Sequence, residues 1–228
     1  LGNIATKPLR LDTSTLMPLG RDAQLGASYA GQQKPPLLVL VLGETGRSVN
    51  FGLNGYNRPT TPLLSARTDL ATARNAWSCG TSTAASLPCM FSHLGRDGFE
   101  GRKTNSETLL DVLQHVGLYT DWRENDGGCK GVCDRIKHID VRELAEKSQC
   151  GSEGCLDMVL LNGLAQEIQA MPNDGVIVLH TMGSHGPAYY QRYTDDLRKF
   201  TSTCDTNQIQ DCNQEALRNT YNNTVLYI

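Results

Sequence analysis

Two short, uninterrupted apolar runs constrain the fold of this chain more than any other feature. They are LLVLVLGE (37–44) and GVIVLHTMG (175–183), and each runs into glycine and polar residues. A run of this kind is typical of a strand that is buried on both faces, as in a parallel sheet. Both are far shorter than the roughly 18 apolar residues that span a bilayer. We therefore expect two strands inside a covered sheet.

Segments with helical spacing accompany these two strands. ETLLDVLQHVG (107–117), CLDMVLLNGLAQEIQAM (155–171) and QEALRNTYNNTVLYI (214–228) predict helices, and LYTDWR (118–123) predicts a further short strand. Strands that alternate with helices predict an α/β fold, with a mixed, largely parallel central sheet flanked by helices.

The organisation along the chain predicts one large unit preceded by an arm. Residues 1–36 are mixed and turn-rich and predict an N-terminal arm or linker, whereas residues 37–228 carry the α/β pattern. The chain opens without a signal peptide, and its last helix stops at Ile228 without a capping residue, so we expect a fragment of a longer protein. The net charge of −3 argues against a nucleic-acid partner, which would require a basic face.

The eight cysteines fall into four close pairs: Cys79 and Cys89, Cys129 and Cys133, Cys150 and Cys155, and Cys204 and Cys212. An even count at short spacings predicts local disulfides formed in an oxidising compartment. The alternative is zinc, although zinc ribbons usually use C-x2-C pairs with nearby histidines. Each bridge would close one short local loop. We therefore expect the bridges to fix the conformations of these loops, not to hold distant parts of the fold together.

Polar stretches follow three of the expected strands: GETGRS, ENDGGCKGVC and TMGSHGP. Because ligands of parallel sheets bind beyond the carboxyl ends of the strands, we expect Glu44, Lys130 and His185 on one rim.

Each of these residues also has a purely structural interpretation. Glu44 could be an acid at a helix N-terminus, and its loop lacks the lysine of a phosphate-binding P-loop. Most loop lysines are only solvated, although Lys130 is enclosed by a cysteine pair and suits a phosphate. His185 lies among glycines and a proline, as expected for a histidine that a loop presents to a ligand. His180 ends an apolar strand and is interpreted as structural.

The segment WSCGTSTAASLPCMFS (77–92) places four hydroxyl residues between two cysteines. Residues 83–86 can open a helix, because serine and threonine favour the N-cap and alanine the interior. A hydroxyl there would be close to N–H groups that stabilise an attached phosphoryl group. The alternative is a simple N-cap in a closed loop, which the residues alone slightly favour.

These motifs together resemble those of one family. VLVLGETGRSVNFGLNGYNRPTTPLL, SCGTSTAASLPCMFS, WRENDGGCKGVC, HTMGSHGPAYYQRY and TYNNTVLY are similar, in order, to motifs of the lipid A phosphoethanolamine transferases, which include the plasmid-borne colistin-resistance enzymes. The family joins a membrane domain to a periplasmic catalytic domain of the alkaline-phosphatase/sulfatase type. The resemblance implies that Thr83 is the nucleophile and a zinc ligand, that Glu44 is a second zinc ligand, and that Lys130 and His185 line the phosphoethanolamine pocket.

The sequence departs from the family in one respect. The family completes its zinc site with an Asp-His pair in an SDHGE motif and adds a later pocket histidine, and neither occurs here. Zinc usually takes three or four protein ligands, so Glu44 and Thr83 alone would bind it weakly. We therefore expect an incomplete zinc site and an inactive fragment.

The resemblance also implies a reaction and a location. Thr83 would attack phosphatidylethanolamine, and a lipid A phosphate would then take the phosphoethanolamine from threonine. The enzyme would lie at the periplasmic face of the inner membrane of a Gram-negative bacterium, held by helices outside this sequence, and would confer resistance to cationic peptides such as polymyxin. The alternatives are a sulfatase or phosphodiesterase of the same superfamily, and a non-catalytic, disulfide-rich periplasmic binding module.

Overall fold

The computed structural model describes residues 12–29, 36–73 and 75–228. Its strands are β1 (Asp12–Met17), β2 (Leu37–Leu42), β3 (Thr104–Ser106), β4 (Tyr119–Glu124), β5 (Lys137–Asp140), β6 (Cys150–Gly151), β7 (Gly154–Cys155) and β8 (Gly175–His180). Its α-helices are α1 (Pro62–Ser65), α2 (Thr83–Met90), α3 (Gly95–Gly101), α4 (Leu109–His115), α5 (Leu164–Ala170) and α6 (Gln214–Tyr227). Short 3-10 helices form several of the connections.

The main sheet has four strands in the order β2-β8-β4-β5, and every neighbouring pair is parallel. Leu42 of β2 and Glu124 of β4 both lie opposite His180 of β8. The carboxyl ends of these three strands therefore meet at one edge of the sheet. The predicted α/β fold with a largely parallel sheet is confirmed.

Strand β8 is buried along its whole length because both of its faces are covered. Val176 and Val178 pack into one hydrophobic cluster, which also contains Leu87 and Phe91 from the α2 region and Leu110 of α4. The alternate residues of β8 pack into a second cluster on the other face, together with Val159, Leu160 and Leu164. Successive side chains of a strand point to opposite faces, so one strand serves both cores.

The prediction that residues 37–44 form a strand buried on both faces is wrong in one respect. Strand β2 forms, but it is the edge strand of the described sheet and has only β8 beside it. Leu38 and Val41 are 59% and 57% exposed as a result. The apolar run correctly indicated a strand, but it contains no information on how many neighbours that strand has.

The predicted helix over 155–171 is also wrong over much of its length. The chain instead forms β7, a 3-10 helix at Asp157–Leu161, and then the short helix α5. Gly163 lies between the two helical segments with a φ of 71°, a left-handed conformation that interrupts a right-handed helix. The other two predicted helices form as α4 and α6. Asn213 caps α6 by accepting a hydrogen bond from the Ala216 amide.

Part of the predicted arm packs on the rest of the chain. Strand β1 pairs in parallel with β3, and Glu107 accepts a hydrogen bond from the Leu19 amide and forms an ion pair with Arg21. The predicted boundary near residue 36 stays a prediction, and residues 1–11 and 30–35 of the arm lie outside the described residues. No helix among the described residues has the length and apolar character to cross a membrane.

The structure contains disulfides between the members of all four predicted pairs, which lie four to ten residues apart. Asp134 lies close to Cys129 and Cys133, but the two sulfurs are bonded to each other and are not free to hold zinc.

Asp121 is a fully buried carboxyl group in the middle of β4. Burial raises its pKa from 3.8 to about 6, the Glu167 carboxylate adds to this effect, and Lys137 and Arg123 oppose it. The folded state therefore binds the proton more tightly than the unfolded state. The stability that this provides is fully present below about pH 4 and is lost as the pH rises through about 6.

We predict that Asp121→Asn raises the free energy of unfolding by about 1–3 kcal/mol at pH 7.5 and changes it little at pH 4, because the substitution removes the cost of ionising a buried carboxyl. Urea unfolding of both proteins at the two pH values measures this. Asp22→Asn, at an exposed position, is the matched control. An effect of equal size at both pH values would contradict the prediction.

Candidate active site

Glu44 follows β2 by two residues, and its backbone is tied to the loop after β8. Its amide donates to the Thr181 hydroxyl at 3.3 Å, and its carbonyl accepts from the Ser184 amide at 3.1 Å. Gly183 has a φ of 53°, and a Cβ on it would lie 2.7 Å from the Glu44 carbonyl oxygen. This close approach requires glycine at position 183, and it fixes the position of the Glu44 backbone relative to the loop after β8.

Thr83 is the first residue of α2, and its side chain meets that of Glu44. The Thr83 hydroxyl donates to Glu44 Oε2 at 2.9 Å, while Glu44 Oε1 accepts from the Thr45 hydroxyl at 2.6 Å. The Cys79–Cys89 disulfide ties the segment before α2 to the last turn of the helix. The structure thus brings together two residues that lie 39 positions apart in the sequence.

Two further residues lie beside Glu44. Potential ligand atoms of Glu44, Asp126 and His180 are all within 4.8 Å of one another. The pKa of Asp126 is raised to about 6, mainly by burial and also by the Glu44 carboxylate, whereas His180 and His185 lower it. Asp126 Oδ1 is buried without a hydrogen-bond partner in the described part of the chain. These three groups form an electronegative cluster beside the threonine hydroxyl.

Glu124 holds the imidazole of His180 in place. Both of its carboxylate oxygens lie within 3.0 Å of His180 Nδ1, and its Oε2 also accepts from the Trp122 indole at 2.8 Å. Burial raises the pKa of Glu124, but the hydrogen bonds and charge of its partners lower it more, so the net pKa is below the usual value. Because Nδ1 is occupied, Nε2 is the nitrogen left for another ligand, an arrangement typical of metal-binding histidines.

The donor set fits a divalent cation such as zinc. Carboxylate oxygens and imidazole nitrogens are its usual ligands, and the hydroxyl of Thr83 is one hydrogen bond away. The unpartnered buried oxygen of Asp126 is the kind of group that a cation would satisfy.

Lys130 and His185 are exposed residues in the loops that follow β4 and β8. Lys130 has a φ of 53°, its ammonium donates to the Gly127 carbonyl at 3.0 Å, and the Cys129–Cys133 disulfide closes its loop. The carbonyl of His185 accepts from Arg192 at 3.0 Å. Among the described hydrogen bonds, neither side chain reaches Glu44 or Thr83, so the roles of Lys130 and His185 stay predictions.

Asp157 joins the loops that follow β4 and β8. Its carboxylate accepts from the backbone amides of Met182 and Gly183 at 2.7 and 2.8 Å, and from the Asn125 side chain at 2.8 Å. Burial raises its pKa. Sequence reasoning placed this residue within a helix and missed its role, because no local pattern marks it.

Asp126 and His180 were also missed as site residues. Both lie at the carboxyl ends of strands, where ligands of parallel sheets bind. This position was the sequence feature that could have identified them as candidates. His180 is buried and hydrogen-bonded as a structural histidine would be, but it also lies beside Glu44.

Comparison with known proteins identifies the class of this domain. The sulfatase family profile matches residues 36–228, and the chain therefore belongs to the sulfatase family.

Within that family the resemblance to phosphoethanolamine transferases is confirmed. The chain is 47% identical to phosphoethanolamine transferase EptA of Escherichia coli K12 and 38% identical to phosphatidylethanolamine transferase Mcr-1 of Escherichia coli, over 96% and 88% of its length. It spans only 40% and 38% of those relatives. It superposes with a TM-score of 0.85 on the soluble domain of lipooligosaccharide phosphoethanolamine transferase A from Neisseria meningitidis, at 45% identity, covering 93% of this chain and 64% of that one.

We predict that Asp157→Ala loosens the loop that carries His185, because two backbone amides lose their acceptor. The expected cost is about 1–3 kcal/mol of stability and faster hydrogen exchange at Met182 and Gly183. Hydrogen-exchange mass spectrometry and thermal melting measure the two effects. Asp195→Ala is the control, since the Asp195 side chain is 96% exposed. Unchanged exchange over 180–187 would show that Asp157 does not hold the loop.

Proposed function

We propose that this chain is the nucleophile-bearing part of an enzyme that transfers phosphoethanolamine from phosphatidylethanolamine to a phosphate of lipid A. The single observation that carries the proposal is the hydrogen bond from the Thr83 hydroxyl to Glu44 at the rim of the sheet. The names of relatives at 47% and 38% identity support it.

In the first step the Thr83 oxygen attacks the phosphorus of the donor lipid. A bond forms between Oγ1 and phosphorus, the bond between phosphorus and the glycerol oxygen breaks, and diacylglycerol leaves once its oxygen has taken up the proton that Thr83 releases. The hydroxyl proton already points at Glu44 Oε2, which is the nearest acceptor for it. Zinc, held by Glu44 and Thr83 with Asp126 and His180 as further available ligands, would lower the pKa of the hydroxyl and offset the phosphoryl charge.

In the second step a phosphate oxygen of lipid A attacks the phosphoethanolamine–threonine. The bond between phosphorus and Oγ1 breaks, and the Thr83 oxygen takes up a proton from the attacking phosphate group or from solvent. The amides of Ala85 and Ser86 donate to the Ser82 carbonyl, which leaves the amides of Thr83 and Ala84 to support a phosphoryl group on Thr83. Lys130 and His185 would bind the phosphate and the rest of the headgroup, since both side chains are exposed and free to meet a ligand.

The proposal includes a location at the periplasmic face of a Gram-negative inner membrane. One similar solved structure, at 39% identity and a TM-score of 0.78, is the C-terminal periplasmic domain of phosphoethanolamine transferase EptC from Campylobacter jejuni. Another, at 43% identity, is an integral membrane protein from Neisseria meningitidis. The four disulfides suit an oxidising compartment. The added amine would weaken the attraction of lipid A for cationic peptides such as polymyxin.

The sulfatase family profile favours one alternative, a hydrolase that transfers to water. A hydrolase would also form an adduct on Thr83, but it would leave lipid A unmodified. A binding module would form no adduct at all.

We predict that Thr83→Ala, made in the enzyme that carries this sequence, abolishes modification of lipid A because it removes the nucleophile. The loss of stability should not exceed about 1–2 kcal/mol. Lipid A mass spectra, intact-protein mass after incubation with phosphatidylethanolamine, and melting temperatures measure these outcomes. Ser86→Ala in the same helix is the control and should retain activity. Modified lipid A at the wild-type level from Thr83→Ala would reject Thr83 as nucleophile.

We predict that Glu44→Gln weakens zinc binding at least about tenfold, because a carboxylate ligand becomes a neutral amide. Calorimetric titration of the metal-free protein with zinc measures this. The control is Glu143→Gln, at an exposed position. The same titration of His180→Ala tests whether the imidazole is a ligand. An unchanged affinity in Glu44→Gln would show that zinc binds elsewhere.

A further inference from the structure

A cavity of about 330 Å³ lies beside the nucleophile helix. Ala84 and Pro88 of α2, Arg102, Asn105 and Lys130 are among the residues that line it. The volume is within the range of small-ligand sites. Among the proposed site residues, the lining includes Lys130 but not Glu44, Thr83 or His185. The cavity therefore adjoins the proposed donor site at Lys130 without including its other residues.

Arg102 is a half-buried cation that its own neighbours hold in place. Its Nε donates to Asn105 Oδ1 at 3.1 Å, its Nη1 donates to the Phe99 carbonyl at 2.7 Å, and its guanidinium lies 3.5 Å from the centroid of the Phe99 ring. Burial lowers its pKa, and within the described part of the chain it forms no ion pair with a carboxylate. A guanidinium has five N–H donors, and these contacts leave several of them available.

The other charges of the lining are mostly compensated. Arg135 forms two hydrogen bonds of 2.7 Å with Asp111. Glu107 is engaged by the Leu19 amide, by Arg21 and by His115. What remains is the charge of Arg102 and of Lys130, opposed by the exposed carboxylate of Asp134. The charged residues of the lining therefore leave an excess of positive charge.

We propose that this cavity binds a phosphate group of the lipid acceptor, with Arg102 as its principal ligand. The proposal rests on the proposed function. The planar guanidinium matches two oxygens of a phosphate. Transfer from Thr83 to a phosphate requires a second anion next to the first, and Ala84, the residue after Thr83, is part of the cavity lining. Lys130, which lines the cavity, would then face both phosphates.

The test separates the two half-reactions in the enzyme that carries this sequence. Adduct formation on Thr83 is followed by intact mass with phosphatidylethanolamine alone, and discharge of the adduct is followed with purified Kdo2-lipid A. Arg102→Ala should form the adduct at the wild-type rate, and its KM for Kdo2-lipid A should rise about tenfold or more. Arg102→Lys should recover part of this loss.

Two further variants complete the test. Arg96→Ala, on α3 and in an exposed pair with Glu100, is the matched control and should change neither half-reaction. Asp134→Asn should lower the KM for Kdo2-lipid A, because it removes the negative charge from the lining.

The results that would contradict the acceptor assignment differ from the result that would contradict the proposed function. If Arg102→Ala slows adduct formation as well, the cavity serves the donor, and the acceptor assignment is overturned. Discharge at the wild-type KM in both Arg102 variants would also overturn it. The absence of an adduct on the unmodified enzyme would instead reject the proposed function itself.

Discussion

The pairing of β8 with β2 on one side and with β4 on the other is the contact on which the rest of the site depends. Because all three strands are parallel and in register, His180, Glu44 and Asp126 reach the same edge from three separate parts of the chain. The two hydrophobic clusters hold β8 between them, one on each face of the strand. The residues of the candidate site can therefore lie in or next to loops, while the apolar residues of β8 provide the stability.

Around this edge the structure combines fixed and exposed side chains. His180 is locked by Glu124, Thr83 and Glu44 are joined directly, and Asp157 fixes the two loops to each other. A site that must stabilise charge benefits from groups that do not reorganise during the reaction. Lys130 and His185 are exposed in the loops that follow β4 and β8, where a ligand has access to them.

The sequence predicted the parts of the fold that depend on local pattern. The apolar runs indicated β2 and β8, and the position of Glu44 after a parallel strand indicated the rim. The sequence could not show that β2 lies at an edge, because the number of neighbours of a strand depends on distant residues.

The prediction of a helix over 155–171 was wrong because a left-handed Gly163 divides the segment. Asp126 and His180 were missed because their importance comes from convergence with Glu44 in space. The match to the family, not the spacing, suggested Thr83 as nucleophile.

The order of the strands in the sheet differs from their order in the chain, and this has a consequence for folding. The Glu44 amide bonds to Thr181, which lies 137 residues later. During synthesis β2 leaves the ribosome long before its only neighbour in the described sheet exists, so its ladder cannot form early. Long-range parallel pairing of this kind is slow and leaves apolar strand residues uncovered in the meantime. The edge of the sheet that carries Glu44 and His180 would accordingly assemble late.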